Sequence, residues 1–339
     1  MMRMILPALA IVAFLSSALP AHAGTVKLAT MAPRGSPWHE ILLDMAAEWE
    51  AAAAGGLTVR IYPGGVLGDE PDLMRKMAIG QIDAAMVTTT GLTQLVPEMW
   101  VFALPMMIRT YEELDYLRDR IGPDLKAQFR ERGFVVLNWG EAGWVRFFSN
   151  RRVETPDDLR ALRLFVWAGD PVLEDAWRKE AFDIVPLAAT DLFSALQSGM
   201  VDAYSTTAVA SLSFQWFGMA PFMMDLNWAP LVGATIIRLD TWQALPEAVQ
   251  HKIQIAAEKA GRRFRERTRA FEAEAVKVMQ ANGLAVTGVS PEAYAQWEKG
   301  ATGAGEIIRS RYVSQSLAER ARRMLTEFRA GLAQSGQNN

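Results

Sequence analysis

One stretch in the last third of the chain constrains the fold more than any other. Residues 246–282 have helical composition over roughly 37 positions, with Gly261 as the one interruption. At 1.5 Å per residue such a helix is about 55 Å long, which exceeds the width of a small domain. It is charged over much of its surface and has no sustained heptads, which disfavours a coiled coil. We therefore expect one helix that lies across two domains.

The N-terminal part alternates strands with helices. Ser36 and Pro37 form an N-cap and a first helical residue, and Gly80 is a helix-ending glycine. The pattern predicts strands at 25–30, 57–62 and 82–87 and helices at 37–54 and 71–79. Strand, helix, strand, helix, strand within about 65 residues is typical of an α/β fold.

Two segments of the chain resemble each other. Residues 77–90, MAIGQIDAAMVTTT, align without gaps with residues 196–209, LQSGMVDAYSTTAV. Both indicate a helix, a glycine cap, a short strand and a cluster of hydroxyl side chains. The similarity has two explanations: chance likeness of two common connections, or two lobes of like construction that face each other across a cleft.

The first 23 residues have the pattern of a secretory signal peptide. Arg3 precedes an apolar run from Met4 to about Leu19, and Ala21-His22-Ala23 is a small-x-small cleavage signal. We expect cleavage after Ala23, export to the periplasm and no stable membrane anchor; a retained N-terminal anchor is the alternative.

Composition excludes several function classes. The chain has no cysteine, which removes disulfides, thiol nucleophiles and thiolate metal sites, and its net charge of −3 argues against nucleic acid as a partner. Beyond residue 23 it has only His39 and His251, without metal-binding spacing, and no G-x-S-x-G motif. We expect no catalytic site, no metal and no cofactor.

Residues 160–177, RALRLFVWAGDPVLEDAW, end a predicted strand on two aromatic residues. Alternation places Arg163, Phe165 and Trp167 on one side of this strand, and Gly169-Asp170-Pro171 forms the turn into a helix. Ligands of open α/β sheets bind at the carboxyl ends of strands, whereas the alternative makes both rings ordinary core.

Three segments carry a resemblance to a known family: YPGGVLGDEPDLMRKMAIGQIDAA, SNRRVETPDDLRALRLFVWAGDPVLEDAW and ATDLFSALQSGMVDA. They resemble the extracytoplasmic solute receptors of tripartite ATP-independent periplasmic (TRAP) transporters, the DctP-type family, over essentially the whole mature chain. The resemblance implies two α/β lobes with a long helix across both, which close around a small-molecule ligand and deliver it to small and large membrane permease subunits. We assign residues 24–147 and 233–265 to lobe I, and residues 148–232 and 266–339 to lobe II.

The resemblance also indicates an unusual ligand site. Phe165 stands where relatives keep a carboxylate-binding arginine, Trp167 stands where they keep a proline, and Arg146 matches a second family arginine. A ring cannot replace a bidentate arginine. The predicted ligand-binding residues are Trp38, Thr88, Thr89, Arg146, Phe165, Trp167, Thr206, Thr207 and Trp216.

We expect a receptor for a small organic ligand that is apolar or aromatic, with Arg146 available for one acidic group. Arg163 is an alternative clamp, although a surface charge is the simpler interpretation of that residue. Other functions stay open: a receptor for a sensor or an ATP-driven (ABC-type) transporter, a carrier of hydrophobic ligands or lipids, and a secreted hydrolase.

Overall fold

The computed structural model describes residues 24–336, so the predicted signal peptide lies outside the described residues. The strands in this part of the chain are β1 Gly24–Thr30, β2 Leu57–Tyr62, β3 Ala84–Thr88, β4 Phe134–Ser149, β5 Arg163–Trp167, β6 Asp183–Leu187, β7 Ala203–Thr207, β8 Phe222–Met224, β9 Ala229–Arg238 and β10 Ala285–Thr287. The α-helices are α1 Pro37–Ala52, α2 Glu70–Ala78, α3 Thr89–Leu95, α4 Tyr111–Glu131, α5 Pro156–Arg160, α6 Pro171–Lys179, α7 Leu192–Gln197, α8 Ala208–Ser213, α9 Leu239–Gln243, α10 Glu247–Ala281, α11 Pro291–Tyr312 and α12 Gln315–Gly336. Short 3₁₀ helices lie at Pro97–Phe102, Ala189–Asp191 and Trp216–Gly218.

The strands form one continuous sheet in the order β2-β1-β3-β9-β4-β7-β5-β6, with β8 beside β4 and β10 beside β8. Each end of this sheet is a parallel α/β unit: β2, β1 and β3 at one end, and β7, β5 and β6 at the other. We call these ends the first and the second lobe. The predicted α/β class is confirmed, and its two lobes share a sheet.

The strands β4 and β9 join the two lobes. β4 pairs antiparallel with β9 from Phe134 to Val145, and then with β7 from Val145 to Ser149. The predicted boundaries at 147/148 and 232/233 fall inside these two strands. The assignment of residues to lobes therefore stays a prediction, because a strand that pairs in both lobes has no sharp boundary.

The long helix α10 is continuous over 35 residues, close to the predicted length. Gly261 does not interrupt it. A side chain there would lie 2.8 Å from Cβ of Asn138 and 2.9 Å from the carbonyl oxygen of Trp139, so the glycine lets α10 approach the backbone of β4. Ala256, Ala257 and Ala260 continue this small, buried surface.

The two similar sequence segments have the same construction. Gly80 and Gly199 adopt positive φ angles of 73° and 69° after α2 and α7. An aspartate three residues after each glycine then accepts a hydrogen bond from a backbone N–H of the neighbouring strand. Asp83 accepts from Lys27 on β1 at 2.9 Å, and Asp202 accepts from Arg163 on β5 at 3.1 Å. This supports the interpretation as two lobes of like construction. It also explains why β3 begins at Ala84: Asp83 is used in the turn.

The described helices do not include one that is long and apolar enough to cross a bilayer.

We expect Gly261→Ala to lower the free energy of unfolding by about 1–3 kcal/mol, because the added Cβ overlaps β4 and separates it from α10. Urea denaturation measures this change. The matched control is Gly300→Ala on α11, where the nearest heavy atom is 4.0 Å from the added Cβ, and where helix propensity favours alanine by up to about 1 kcal/mol. Equal stability of the two variants would contradict the proposed close contact.

Candidate ligand-binding site

Two adjoining cavities lie between the lobes. The first cavity has a volume of about 790 Å³ and the second about 810 Å³, both including their openings to solvent. Trp167, Thr206 and Leu231 line both cavities, so the two are neighbours that share a wall.

The first cavity lies at the carboxyl ends of strands from both lobes. β1 and β3 contribute Thr30 and Thr88 from the first lobe, while β5 and β7 contribute Trp167 and Thr206 from the second. Ligands bind at this position in open α/β sheets because the strand ends leave side chains and helix N-termini exposed there. Most of the remaining wall is apolar: Met31, Ala32, Trp38, Met86, Val87, Ala142, Ala189, Ala210, Phe214, Trp216, Leu231, Ala234 and Phe264.

The charged groups of the two cavities are acidic. Glu70 and Glu141 line the first cavity, and among the described residues neither cavity has a lining Lys, Arg or His. Glu141 is neutralised from behind by Arg269, whose Nη2 lies 3.0 Å from Oε2. Burial nevertheless raises the pKa of Glu141. An anionic ligand would therefore meet no positive side chain in either cavity.

Glu70 is the other acidic residue that lines the first cavity, and it is almost fully buried. Its Oε1 accepts from the Thr88 backbone N–H at 2.9 Å, and its Oε2 accepts from the Thr88 hydroxyl and the Gly91 N–H, both at 2.8 Å. Burial raises the pKa of Glu70 to about 7, although these hydrogen bonds favour the carboxylate. Glu70 holds the start of α3 against β3.

Arg146 does not line either cavity. Its Nη1 lies 3.1 Å from Oε1 of Glu272 on α10, and its Nε lies 3.6 Å from Oδ1 of Asp225. Its cross-strand partner on β7, Thr206, lines both cavities, and its Nε atom is buried without a hydrogen-bond acceptor among the described residues. The Arg146 guanidinium is paired with two carboxylates of the protein itself. A ligand contact at Arg146 stays a prediction. Arg163 forms an exposed ion pair with Asp202.

The two aromatic residues of β5 have different environments. Trp167 is half-buried and lines both cavities, whereas Phe165 is 2% exposed and lies in the core behind it. Their ring centroids are 5.6 Å apart. Phe165 supports the tryptophan that forms the cavity wall, and its direct contact with a ligand stays a prediction.

The predicted hydroxyl groups are mostly used inside the protein. The Thr88 hydroxyl bonds to Glu70, that of Thr89 donates to the Val232 carbonyl at 3.1 Å, and that of Thr207 accepts from the Ala210 N–H at 3.2 Å. The reason is that α3 and α8 begin directly after β3 and β7, so the threonines at the strand ends cap helices. Thr88 and Thr89 still line cavity surface, as does Thr206, while Thr207 is fully buried.

Trp38 and Trp216 both form part of the first cavity's wall. The indole N–H of Trp38 donates to the Thr268 hydroxyl on α10 at 3.1 Å. Trp216 stacks on Phe214 with a centroid distance of 4.5 Å. Both indoles are therefore fixed in place, which suits a preformed apolar wall.

A buried hydrogen bond connects the lobes beside the first cavity. Oδ2 of Asp69 accepts from the Ala189 backbone N–H of the second lobe at 2.7 Å. The other carboxylate oxygen of Asp69 caps α2 by accepting from the Glu70 N–H at 2.7 Å. Asp69 and Glu70 lie in the first of the three segments that carry the family resemblance, and neither was among the predicted ligand-binding residues. Their helix-cap position was readable from the sequence, but their partners lie 18 and 120 residues away.

We expect Glu70 to make stability depend on pH. The folded protein holds a proton on Glu70 up to about pH 7, whereas the unfolded chain releases it near the ordinary value of 4.5. Stability from this group is therefore complete at low pH and falls as pH rises from about 4.5 to 7, by at most roughly 3 kcal/mol. Glu70→Gln should flatten the pH dependence of urea-unfolding free energy in this window.

The exposed Glu274→Gln variant on α10 is the control, and its curve should run parallel to the wild-type curve. If Glu70→Gln also gave a parallel curve, Glu70 would titrate alike in the folded and unfolded chains.

Comparisons with known proteins agree with this architecture. The family model for bacterial extracellular solute-binding proteins, family 7 (DctP), matches residues 28–304. A solute-binding protein of Roseobacter denitrificans is 25% identical over 252 residues, covering 74% of this chain and 77% of that relative. The sialic acid-binding periplasmic protein SiaP of Vibrio cholerae is 23% identical over 279 residues, covering 80% and 86%.

Solved structures have the same fold. A TRAP periplasmic solute-binding protein of Ralstonia eutropha, with bound (S)-2-acetolactate, has a TM-score of 0.83 at 22% identity and covers 89% of this chain and 99% of its own. The sugar acid-binding protein of Advenella mimigardefordensis, in complex with galactonate, has a TM-score of 0.84 at 18% identity, covering 90% and 98%. With the family model spanning both lobes, this chain belongs to the bacterial extracellular solute-binding protein family 7, the DctP family.

Proposed function

We propose that this protein is the periplasmic receptor of a TRAP-type transporter and that it carries an uncharged solute with an apolar or aromatic body. The main support for this proposal is the first inter-lobe cavity, which has aromatic walls, a few hydroxyl groups and no lining Lys, Arg or His among the described residues. Relatives whose names state a ligand bind acids such as sialic acid and galactonate. The fold and family support the receptor role, while the walls of the cavity support a different ligand.

The electrostatic argument concerns the cost of burying a carboxylate. A carboxylate in a closed cleft needs a hydrogen-bonded cation, because desolvation without one costs several kcal/mol. Here Arg146 already shares its charge with Glu272, whose side chain is largely buried with an exposure of 10%. A ligand carboxylate at Arg146 would place a second buried anion beside Glu272. A neutral ligand carries neither cost.

The receptor proposal includes the predicted route of the solute. The signal peptide would place the chain in the periplasm, and the closed lobes would be recognised by the small and large permease subunits. The protein would act by binding and release alone, since the cleft holds its ligand between two lobes and its acids are used in structural contacts.

The proposed ligand class is tested by calorimetric titration and by native mass spectrometry for co-purified ligand. We expect uncharged aromatic and aliphatic compounds to bind, and small carboxylates to bind at least tenfold more weakly. Trp167→Ala should reduce the affinity of the uncharged ligand about 10- to 100-fold, because it removes wall from both cavities.

Two control variants separate the outcomes. Phe193→Ala, at an exposed position on α7, should leave affinity unchanged. Arg146→Gln should lower stability without changing the preference for uncharged ligands. If carboxylates bound tightly to the wild type and lost binding in Arg146→Gln, the ligand would be an organic acid clamped by Arg146.

Closure of the lobes gives a second test. Asn at position 69 retains one acceptor oxygen for the α2 cap but loses the second, which accepts from Ala189. We expect Asp69→Asn to bind ligand about tenfold more weakly and to be less compact by small-angle X-ray scattering, since the lost bond joins the lobes. The exposed Asp157→Asn variant at the start of α5 is the control. Equal compaction of Asp69→Asn and wild type on ligand addition would exclude this role.

A further inference from the structure

The second cavity lies deeper toward α6 and α11 than the first. Its walls come from both lobes: Trp100, Ala103 and Pro105 from the segment after α3, and Trp177, Ala304 and Ile308 from α6 and α11. An occupant would therefore touch both lobes at once.

The lining of the second cavity is free of charge in the part of the chain that the structure describes, and four of its residues are tryptophans. Trp177 and Trp228 stack with a centroid distance of 5.9 Å, and Trp100 stacks on Tyr312 at 6.1 Å. The Tyr312 hydroxyl donates to Asp170 at the start of α6, which fixes the end of α11 against this helix. The walls are thus rigid and aromatic.

Two buried indole N–H groups in these walls have no acceptor among the described residues. They belong to Trp100 and Trp167, and both rings line the second cavity. A buried donor without an acceptor costs about 1–3 kcal/mol, so a ligand oxygen that reaches either one would relieve that cost. At the other side of the cavity, Ser205 and Thr206 supply hydroxyl groups next to the wall shared with the first cavity.

We propose that the second cavity is a subsite for the apolar tail of the solute, so that one elongated, uncharged molecule extends past Trp167 and occupies both cavities. Its chemical class is an aryl or alkyl chain that carries hydroxyl, ether or carbonyl oxygens as hydrogen-bond acceptors. This inference rests on the proposed receptor function and deepens it.

A series of uncharged phenylalkanols, from phenylmethanol to 6-phenylhexanol, tests the subsite by calorimetric titration. In the wild type, affinity should rise about fourfold for each added methylene once the chain enters the second cavity. Ala304→Leu fills that cavity from the second lobe, and should make affinity independent of chain length. Ala103→Leu fills it from the first lobe and should have the same effect, which guards against a folding defect in either variant.

The matched control is Ala210→Leu, which projects into the first cavity alone. It should weaken every member of the series to a similar degree and keep the rise with chain length. An equal rise in Ala304→Leu and wild type, or a flat series in the wild type, would overturn the subsite.

Different results would contradict the subsite proposal and the receptor proposal. If a co-purified ligand compacts the wild type and binds equally well to Ala304→Leu, the receptor proposal stands and the subsite is wrong. If no compound of either charge class binds or compacts the protein, the receptor proposal itself is wrong.

Discussion

The close packing of α10 on β4 is the contact on which the rest of the molecule depends. β4 pairs with β9 in one lobe and with β7 in the other, so it belongs to both. α10 packs along β4: Gly261 lies against Asn138 and Trp139, and further along the helix the Glu272 carboxylate accepts from the Trp144 backbone N–H. β4 and α10 therefore hold the two lobes together, and the cleft lies at the carboxyl ends of the lobe strands. Any relative motion of the lobes must bend β4 and β9.

Glu272 shows how this helix also determines the electrostatics of the cleft. Its carboxylate accepts from the Trp144 N–H at 3.1 Å, from the Tyr111 hydroxyl at 2.6 Å and from Arg146 at 3.1 Å. Burial beside Glu272 raises the pKa of Tyr111, which stays a donor. Arg146 thereby joins β4 to α10. The ligand cleft is left with aromatic walls and two acids.

Much of the fold was readable from the sequence because it follows from local rules. The predicted helix at 246–282 and the strand at 163–167 agree with α10 and β5, since periodicity and flanking turn residues fix such elements. Residues 77–90 and 196–209 have the same local structure, because in each segment a glycine with positive φ ends the helix and an aspartate in the same turn bonds to the neighbouring strand. The family followed from the same motifs, and its model covers both lobes.

The ligand site was less predictable. A residue's position at a strand end does not determine whether its side chain faces the cavity or makes a contact within the protein. Phe165 and Trp167 alternate as expected on one side of β5, yet Phe165 lies behind its neighbour and only Trp167 reaches the cavities. Thr207 was expected to face the ligand and instead caps α8. Glu70 lines the first cavity and Asp69 joins the lobes, yet nothing in their sequence pattern indicated either position.

The sequence by itself therefore determined the main helices and strands and their α/β order, and it indicated the likeness between residues 77–90 and 196–209. Only the tertiary structure decided that Arg146 faces Glu272, that Glu70 is buried beside the cavity, and that Trp167 separates two cavities. The physical reason is distance along the chain. Helix caps and strand periodicity act over a few residues, whereas the partner of Arg146 lies 126 residues away and that of Asp69 lies 120 residues away. Such pairs exist only once the long helix has brought the two lobes together.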